Sequence, residues 1–245
     1  MSTIFISDLH LHPSRPAITR SFLTFLENAA HRVDALYILG DLFEAWTGDD
    51  AQDADQQLIV SALSQFTGAG RACYFTHGNR DFLVGESFSA ATGVQLLAES
   101  TVIDLYGENV LLLHGDTLCT DDHRYQRFRR VVRSPLLHAV YFALPVSLRR
   151  AIVNGIRKSS VETTALKPED ITDVNQDAVE SAMRDSGVNK LIHGHTHRPA
   201  VHNFLLDQQP ASRIVLGDWY TQGSFLECRT GGFELQALPL GKSTT

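Results

Sequence analysis

The stretch ALYILGD, residues 35–41, is an unbroken apolar run that ends at an acidic residue. Two similar runs flank it along the chain, TIFIS at 3–7 and ACYFTHGN at 72–79. Residues 16–33 carry apolar side chains at helical spacing, and a second helix is expected around 52–67. Unbroken apolar strands that alternate with helices are typical of a buried, largely parallel sheet. The sequence therefore predicts an α/β fold.

The second half of the chain predicts more sheet structure. Residues 101–116 have the pattern of a hairpin that turns at 107–109, and a helix is expected from about 169 to 186. The strand NKLIHGH, 189–195, is followed by the short segments AVHNFLL, RIVLGDWY and GSFLECR, with turn residues between them. These segments suggest a second, mostly antiparallel sheet, so that two packed sheets are flanked by helices.

Composition and cysteine usage narrow the class of protein. The chain has 245 residues, of which 43% are hydrophobic and 20% are charged, enough for a substantial core. Three cysteines without close spacing predict reduced thiols rather than disulfides or a zinc knuckle. The N-terminal residues resemble neither a signal peptide nor a transit peptide, and no apolar run is long enough to span a bilayer. We expect a cytosolic protein with one domain and an insertion.

Charge is distributed unevenly along the chain. No acidic residue lies between Asp122 and Glu162, yet this stretch contains nine of the 21 basic residues. The rest of the chain has 12 basic and 28 acidic residues, within a net charge of −7. In the same stretch arginines alternate with apolar residues, and Pro135 and Pro145 divide it into short helices. We predict a helical cap at 121–167, inserted into a core formed by residues 1–120 and 168–245.

Side chains that can bind metals follow the predicted strands. Taken singly, each has a structural explanation, as a helix cap, a turn residue or a structural histidine. Together they indicate one site, because α/β sheets keep their ligands at the carboxyl ends of their strands. Oxygen and imidazole ligands without thiolates favour Mn²⁺, Fe²⁺ or Zn²⁺, and seven ligands suit two metals about 3.5–4 Å apart. The seven candidates are Asp8, His10, Asp41, Asn79, His114, His195 and His197.

The stretch LIHGHTHRPA, residues 191–200, contains three histidines at alternate positions. On an extended strand they would lie on one side, because strand side chains repeat every two residues. We expect His195 and His197 to face the metals, and His193, deeper in the strand, to be structural.

The candidate ligands and the glycines beside them resemble the motifs of the calcineurin-like metallophosphoesterase superfamily. In chain order, the matching motifs are Asp8-x-His10, Gly40-Asp41, Gly78-Asn79, His114 and Gly194-His195-x-His197. The resemblance implies a four-layer α/β/β/α sandwich with an inserted helical cap. It also implies two metal sites bridged by Asp41. One would be held by Asp8, His10, Asp41 and His197, and the other by Asp41, Asn79, His114 and His195.

Arg80 departs from many members of this superfamily, which have histidine at the same place. Arginine does not give up its proton, so it cannot protonate a leaving group, but it can clamp phosphate oxygens. A leaving group that needs no proton, such as a second phosphate, is therefore favoured. The alternative is that Arg80 only forms an ion pair with Asp81.

The cap favours lipid over nucleic acid. Its apolar side could hold acyl chains or lie on a membrane, with arginines meeting phosphate or lipid headgroups. A nucleic-acid-binding segment and a packed subdomain with a solvated face are the alternatives. The eight nearly consecutive apolar residues within 136–148 exceed what backbone-phosphate binding needs, and the acidic core opposes a polyanion.

The chain resembles the UDP-2,3-diacylglucosamine diphosphatases of lipid A biosynthesis. The resemblance is carried by the cap, by Arg80 and by the stretches ALYILGDLFEAW, HGNRDFL, HGDTLCTDD, DVNQ and LIHGHTHRPAVH. The resemblance implies two Mn²⁺ ions and water attack on the α-phosphorus, giving UMP and 2,3-diacylglucosamine 1-phosphate (lipid X). It implies a peripheral protein at the cytoplasmic face of the bacterial inner membrane, with an acylated UDP-sugar as substrate and no nucleic acid. No motif indicates a protein partner.

The same resemblance implies the roles of individual residues. The catalytic group would be Asp41, Asn79, Arg80 and His195, and the substrate contacts would be Asn79, Arg80, Asp122, Ser160, Thr164, Lys167 and His195. Asp122 and Ser160 could instead cap helices of the cap, and Lys167 could lie on a solvated loop. Three other functions stay open at this point: a cytosolic metallophosphoesterase for soluble nucleotides, a binding module that has lost catalysis, and a nuclease.

Overall fold

The computed structural model describes residues 2–29, 31–164 and 173–239, with the backbone alone at 158–164. Its strands are β1 Thr3–Ile6, β2 Ala35–Ile38, β3 Ala72–Phe75, β4 Gln95–Leu96, β5 Ser100–Leu105, β6 Glu108–Leu113, β7 Lys190–His193, β8 Ala200–Leu206, β9 Gln209–Val215, β10 Gly223–Arg229 and β11 Gly232–Leu238. Its helices are α1 Pro16–Ala29, α2 Ala54–Gly68, α3 Glu86–Thr92, α4 His123–Val132, α5 Pro135–Phe142, α6 Val146–Thr164 and α7 Gln176–Ser186, with a 3₁₀ turn at Asp116–Leu118.

The strands form two sheets that pack face to face. The first has the order β11-β10-β1-β2-β3-β4, and the second has the order β5-β6-β7-β9-β8. Ile4 and Ile6 of β1 pack with Phe22 of α1 on the outer face. Phe5, between them, points the other way and packs with Ile192 of the second sheet, because strand side chains alternate between faces.

Helices cover the outer face of each sheet. The cluster on the first sheet includes buried residues of α1, α2 and α3. On the second sheet, Val179 and Met183 of α7 pack with Leu111 and Leu191. The order of layers is therefore helix, sheet, sheet, helix, which confirms the predicted α/β/β/α sandwich.

The parallel strands β1, β2 and β3 are the part of the fold that positions the site. Each is paired in register with the next, and α1 and α2 connect them as the sequence predicts. Asp53 caps α2 by accepting a hydrogen bond from the backbone N–H of Gln56. Since the three strands run in one direction, their carboxyl ends meet at one edge of the sheet.

The predicted second sheet was partly wrong. It is mixed rather than mostly antiparallel, because β7 pairs parallel with both β6 and β9. The segment GSFLECR forms β10, which pairs antiparallel with β1 and belongs to the first sheet. Its first six residues are buried on both faces, so it lies inside a sheet and lacks the alternation that would have identified its partner. The helix expected from 169 begins at Gln176, and residues 165–172 lie outside the described part.

Three helices, α4, α5 and α6, lie where the cap is expected, and Pro135 is the first residue of α5. Arg149 of α6 is buried and binds the Asp50 carboxylate and the Thr47 carbonyl oxygen of the core. The Tyr141 hydroxyl donates to the same carbonyl oxygen at 3.0 Å. Among the described helices, none has both the length and the apolar character needed to span a bilayer. The division into core and cap remains our interpretation.

Candidate metal centre

The loops after β1 and β2 run side by side and bring three candidate ligands together. The Asp8 N–H donates to the Gly40 carbonyl oxygen at 3.1 Å, and the His10 N–H donates to the Asp41 carbonyl oxygen at 2.9 Å. These bonds continue the parallel pairing of the strands beyond their ends. Asp8, His10 and Asp41 are therefore held by backbone contacts.

Left-handed backbone occurs at five of the seven candidate ligands. Such a conformation costs a residue with a Cβ on the order of 1–3 kcal/mol, and it persists where surrounding contacts enforce it. Because this conformation occurs at so many of the candidate ligands, we infer that the loops set the direction of their side chains. The positive φ angles are 55° at Asp8, 49° at His10, 53° at Asp41, 71° at His195 and 57° at His197.

The buried carboxylate of Asp81 organises the loop after β2. Oδ2 accepts the N–H of Leu42 at 2.8 Å and of Phe43 at 3.3 Å. Oδ1 accepts the N–H of Gly78 at 2.9 Å and of Asp41 at 3.2 Å. The alternative prediction, an ion pair between Arg80 and Asp81, is wrong, because backbone N–H groups occupy both Asp81 oxygens and no described ion pair joins these side chains.

The first group of candidate ligands is Asp8, His10 and His197. His197 Nε2 lies 3.3 Å from both His10 Nε2 and Asp8 Oδ1. Asp8 Oδ1 is buried and has no hydrogen-bond partner in the described part of the chain. Buried polar atoms normally have partners, so this oxygen beside two imidazole nitrogens fits a divalent cation.

The second group is Asp8, Asp41 and His114, so the two groups share Asp8. Asp41 lies between them: Oδ2 is 3.7 Å from His10 Nε2, and Oδ1 is 3.7 Å from His114 Nε2. Asn79 Oδ1 lies 3.1 Å from His114 Nε2. A carboxylate that faces an imidazole on either side is suited to bridge two metals, as predicted for Asp41.

The three histidines His193, His195 and His197 do not all lie on one strand, contrary to our expectation. The strand ends at His193, and Gly194 approaches Asp8 so closely that a Cβ would collide with its Oδ2. His193 is fully buried and contacts the Gly194 carbonyl oxygen and Arg213, as expected for a structural residue. The His195 ring lies outside both groups, 5.0 Å from the His114 ring between centroids.

The buried carboxylates of the candidate metal centre favour positive charge beside them. Burial opposes the ionisation of Asp8, yet the surrounding histidines hold its pKa well below the usual range. Burial lowers the pKa of His114, but Asp41, Asp8 and Asp116 raise it to about 9. Burial and the charge on His114 lower the pKa of His195 to about 4, so this imidazole is neutral at pH 7 and offers a lone pair.

The residues that support the first group were not predicted from the sequence. Glu44 Oε2 lies 3.4 Å from His10 Nδ1, and Asp218 Oδ2 lies 3.5 Å from His197 Nδ1. Tyr220 stacks on His10 with ring centroids 5.3 Å apart. Burial raises the pKa of Glu44, but His10 and nearby arginines lower it to about 2, so the carboxylate is charged. No local pattern marks these residues, because their contacts form between distant parts of the chain.

Asp116 connects the second group to the cap and was also missed. Its buried carboxylate accepts from the Tyr125 hydroxyl at 2.6 Å and from Arg129 Nε at 2.7 Å. The Tyr125 ring stacks on His195, with centroids 6.3 Å apart. Arg133, the residue that follows α4, donates to the Gly78 carbonyl oxygen at 2.7 Å. Several cap arginines thus bind protein groups, whereas Arg124, Arg127 and Arg130 are exposed.

The predicted substrate contacts are placed in part. Arg80 is half-buried, and its backbone N–H, not its guanidinium, donates to Asp41 Oδ1 at 2.9 Å. Asp122 is the N-cap of α4 and accepts from the Tyr125 N–H at 3.0 Å. The side chains of Ser160 and Thr164, and all of Lys167, lie outside the described residues. Their substrate roles stay predictions.

Residues 1–199 match the calcineurin-like phosphoesterase family. A Pseudomonas paraeruginosa protein named UDP-2,3-diacylglucosamine hydrolase is 54% identical over 240 residues, covering 98% of this chain and 100% of that protein. A protein of the same name from Escherichia coli is 50% identical over 239 residues, again covering 98% and 100%. Among solved structures, the Escherichia coli phosphoesterase Yfce covers 98% of this chain and 100% of its own, with 15% identity and a TM-score of 0.48.

Proposed function

This chain belongs to the calcineurin-like phosphoesterase family, and we propose that it is a metal-dependent diphosphatase that hydrolyses UDP-2,3-diacylglucosamine in lipid A biosynthesis. Water attacks the α-phosphorus, and the products are UMP and 2,3-diacylglucosamine 1-phosphate. The observation that carries the proposal is the cluster of buried carboxylates and imidazoles around Asp41, within a chain half identical to relatives of that name.

The proposed cofactor is a pair of Mn²⁺ ions. Bound divalent cations supply Lewis acidity at phosphorus and lower the pKa of water toward neutrality. Asp41 would bridge the pair, since its two oxygens face His10 and His114. The proposed ligands of one ion are Asp8, His10, Asp41 and His197, and those of the other are Asp41, Asn79, His114 and His195.

Arg80 and His195 are proposed to bind the diphosphate. Asp81 accepts backbone N–H groups instead of pairing with Arg80, so the guanidinium is not committed to that neighbour. It can offer a bidentate pair of donors to phosphate oxygens and stabilise the charge that develops on them. Since arginine keeps its proton, the leaving group must depart as an anion, which a phosphate monoester does.

The cap is proposed to hold the acyl chains and to rest on the membrane surface. Helices α4 and α5 expose large apolar side chains, including Val131 at 61%, Leu136 at 78% and Val140 at 54%. The exposed arginines of α4 are suited to anionic headgroups. We therefore propose peripheral attachment at the cytoplasmic face of the inner membrane.

Substrate competition tests the proposal. Purified protein is incubated with Mn²⁺ and equal concentrations of UDP-2,3-diacylglucosamine and a soluble dinucleotide, and the products are separated by chromatography. We expect UMP from the acylated sugar and little hydrolysis of the dinucleotide. Preferential hydrolysis of the dinucleotide would instead identify a cytosolic phosphoesterase for soluble nucleotides.

A further inference from the structure

Glu44 is a buried carboxylate that joins the first group of candidate ligands to the cap. It is 6% exposed. Oε2 lies 3.4 Å from His10 Nδ1 and 2.7 Å from the Arg15 guanidinium. Oε1 accepts from Arg157 Nε at 3.0 Å. Its backbone is also fixed, because its N–H donates to the Leu11 carbonyl oxygen at 3.1 Å.

On the metal side, the contact determines how His10 presents its ring. An imidazole that offers the Nε2 lone pair to a metal carries its proton on Nδ1. Nδ1 of His10 is buried and has no hydrogen bond of good geometry among the described residues. The Glu44 carboxylate is at the right place to receive this proton after a small rotation, while Tyr220 holds the ring plane by stacking. Carboxylates that orient metal-binding histidines in this way raise metal affinity.

On the cap side, the same carboxylate anchors α6. Arg157 also contacts His12 Nε2 through NH1 at 3.1 Å, so its guanidinium spans two residues of the core. Near the start of α6, Arg150 donates to the Ala51 carbonyl oxygen at 3.1 Å, a contact that does not involve Glu44. Arg157 is therefore the described side chain of α6 that reaches the metal-supporting carboxylate.

We propose that Glu44 is a positioning residue that couples cation binding at the first group to the seating of helix α6. A cation on His10 Nε2 polarises the Nδ1–H bond and strengthens its contact with Glu44, which fixes the carboxylate for Arg157. Coupling between two equilibria is reciprocal, so a seated α6 also raises cation affinity. The inference rests on the proposed function, because it requires a divalent cation at this group.

The coupling would order the cap when the enzyme is loaded with metal. The predicted substrate contacts Ser160 and Thr164 belong to α6, one to two turns beyond Arg157. A metal-free enzyme would then hold this helix loosely and bind substrate poorly. Unproductive binding at an unloaded centre would be avoided.

Hydrogen–deuterium exchange of the α6 amides, followed by mass spectrometry with and without Mn²⁺, tests the coupling. Mn²⁺ affinity is measured in parallel from the electron paramagnetic resonance of the free ion. The variants are Glu44→Gln, Arg157→Gln and the matched control Arg150→Gln. We expect Mn²⁺ to slow exchange in wild type on the order of tenfold. Glu44→Gln should abolish this effect and weaken Mn²⁺ binding by about 10- to 100-fold.

The two arginine variants separate coupling from simple loosening of the cap. Arg157→Gln should abolish the response of α6 to Mn²⁺ and weaken Mn²⁺ binding, although it leaves His10 and Glu44 in place. Arg150→Gln should speed α6 exchange but keep the response. If Glu44→Gln does not fold, the arginine pair decides alone.

Each other outcome overturns a defined claim. If wild type binds Mn²⁺ and α6 exchange does not change, or if Arg157→Gln behaves like Arg150→Gln, the coupling is refuted and the proposed function stands. If wild type binds no divalent cation, the proposed function fails and the coupling fails with it.

Discussion

Replacing Asp81 with alanine should destabilise the protein more than any exposed aspartate would. The substitution leaves four N–H groups of the ligand-bearing loops without their acceptor, two of them bonded at 2.8 and 2.9 Å and two at 3.2 and 3.3 Å. An unsatisfied buried donor costs about 1–3 kcal/mol. If the two short bonds count fully and the long ones weakly, the lost bonds cost about 4 kcal/mol. Burial and the neighbouring Asp41 raise the pKa of Asp81 to about 7, and removing the carboxylate relieves this penalty, so the unfolding free energy should fall by about 2 kcal/mol.

Urea denaturation in a chelating buffer measures this loss without a contribution from bound metal. The matched control is Asp104→Ala, which removes an exposed carboxylate that accepts a single N–H, from Gly107 at 2.7 Å. It should cost about 1 kcal/mol or less. A loss at Asp81 no larger than at Asp104 would refute the account of how the loop after β2 is held.

Three further results are expected. Asp41→Asn should reduce turnover by more than about 100-fold, which is the upper end of the loss that follows when a residue supporting a metal ligand is changed. Activity within tenfold of wild type would argue against a bridging position for Asp41. Leu136→Ser should weaken binding to anionic vesicles, measured by sedimentation, by roughly tenfold, since burying a leucine side chain gains about 1.5–3 kcal/mol. The control Leu205→Ser on β8 should leave vesicle binding unchanged. Equal effects of the two substitutions would exclude the cap as the docking face. Burial raises the pKa of Cys73 to about 12. Iodoacetamide at pH 8 should therefore label this thiol only after unfolding, as detected by mass spectrometry. Rapid labelling of the native protein would contradict its burial.

Much of the fold could be predicted because it depends on local patterns. The apolar runs that end at Asp8 and Asp41 identified parallel strands and the edge of the sheet where polar residues gather. The predicted hairpin is present as β5 and β6, but it turns at Tyr106 and Gly107, both with positive φ, rather than at 107–109. The partner of β10 could not be predicted, since a strand buried on both faces carries no alternation to show which sheet it joins.

The candidate ligands were accessible from the sequence for the same reason, because each follows a strand. Their supporting residues were not. Glu44, Asp116 and Tyr220 reach the centre through contacts that form only after the chain folds, and short polar motifs do not distinguish them from surface residues. The left-handed turns that carry His195 and His197 beyond β7 were likewise hidden, because alternate spacing alone is typical of a strand.

Phosphorus NMR of the products formed in ¹⁸O-labelled water is the most direct test of water attack at the α-phosphorus. The protein is incubated with UDP-2,3-diacylglucosamine and Mn²⁺, and the isotope shift shows which phosphate received the water oxygen. We expect the label to appear in UMP, because water attacks the α-phosphorus. Label in the sugar 1-phosphate, or no hydrolysis by a protein that has bound Mn²⁺, would contradict this expectation.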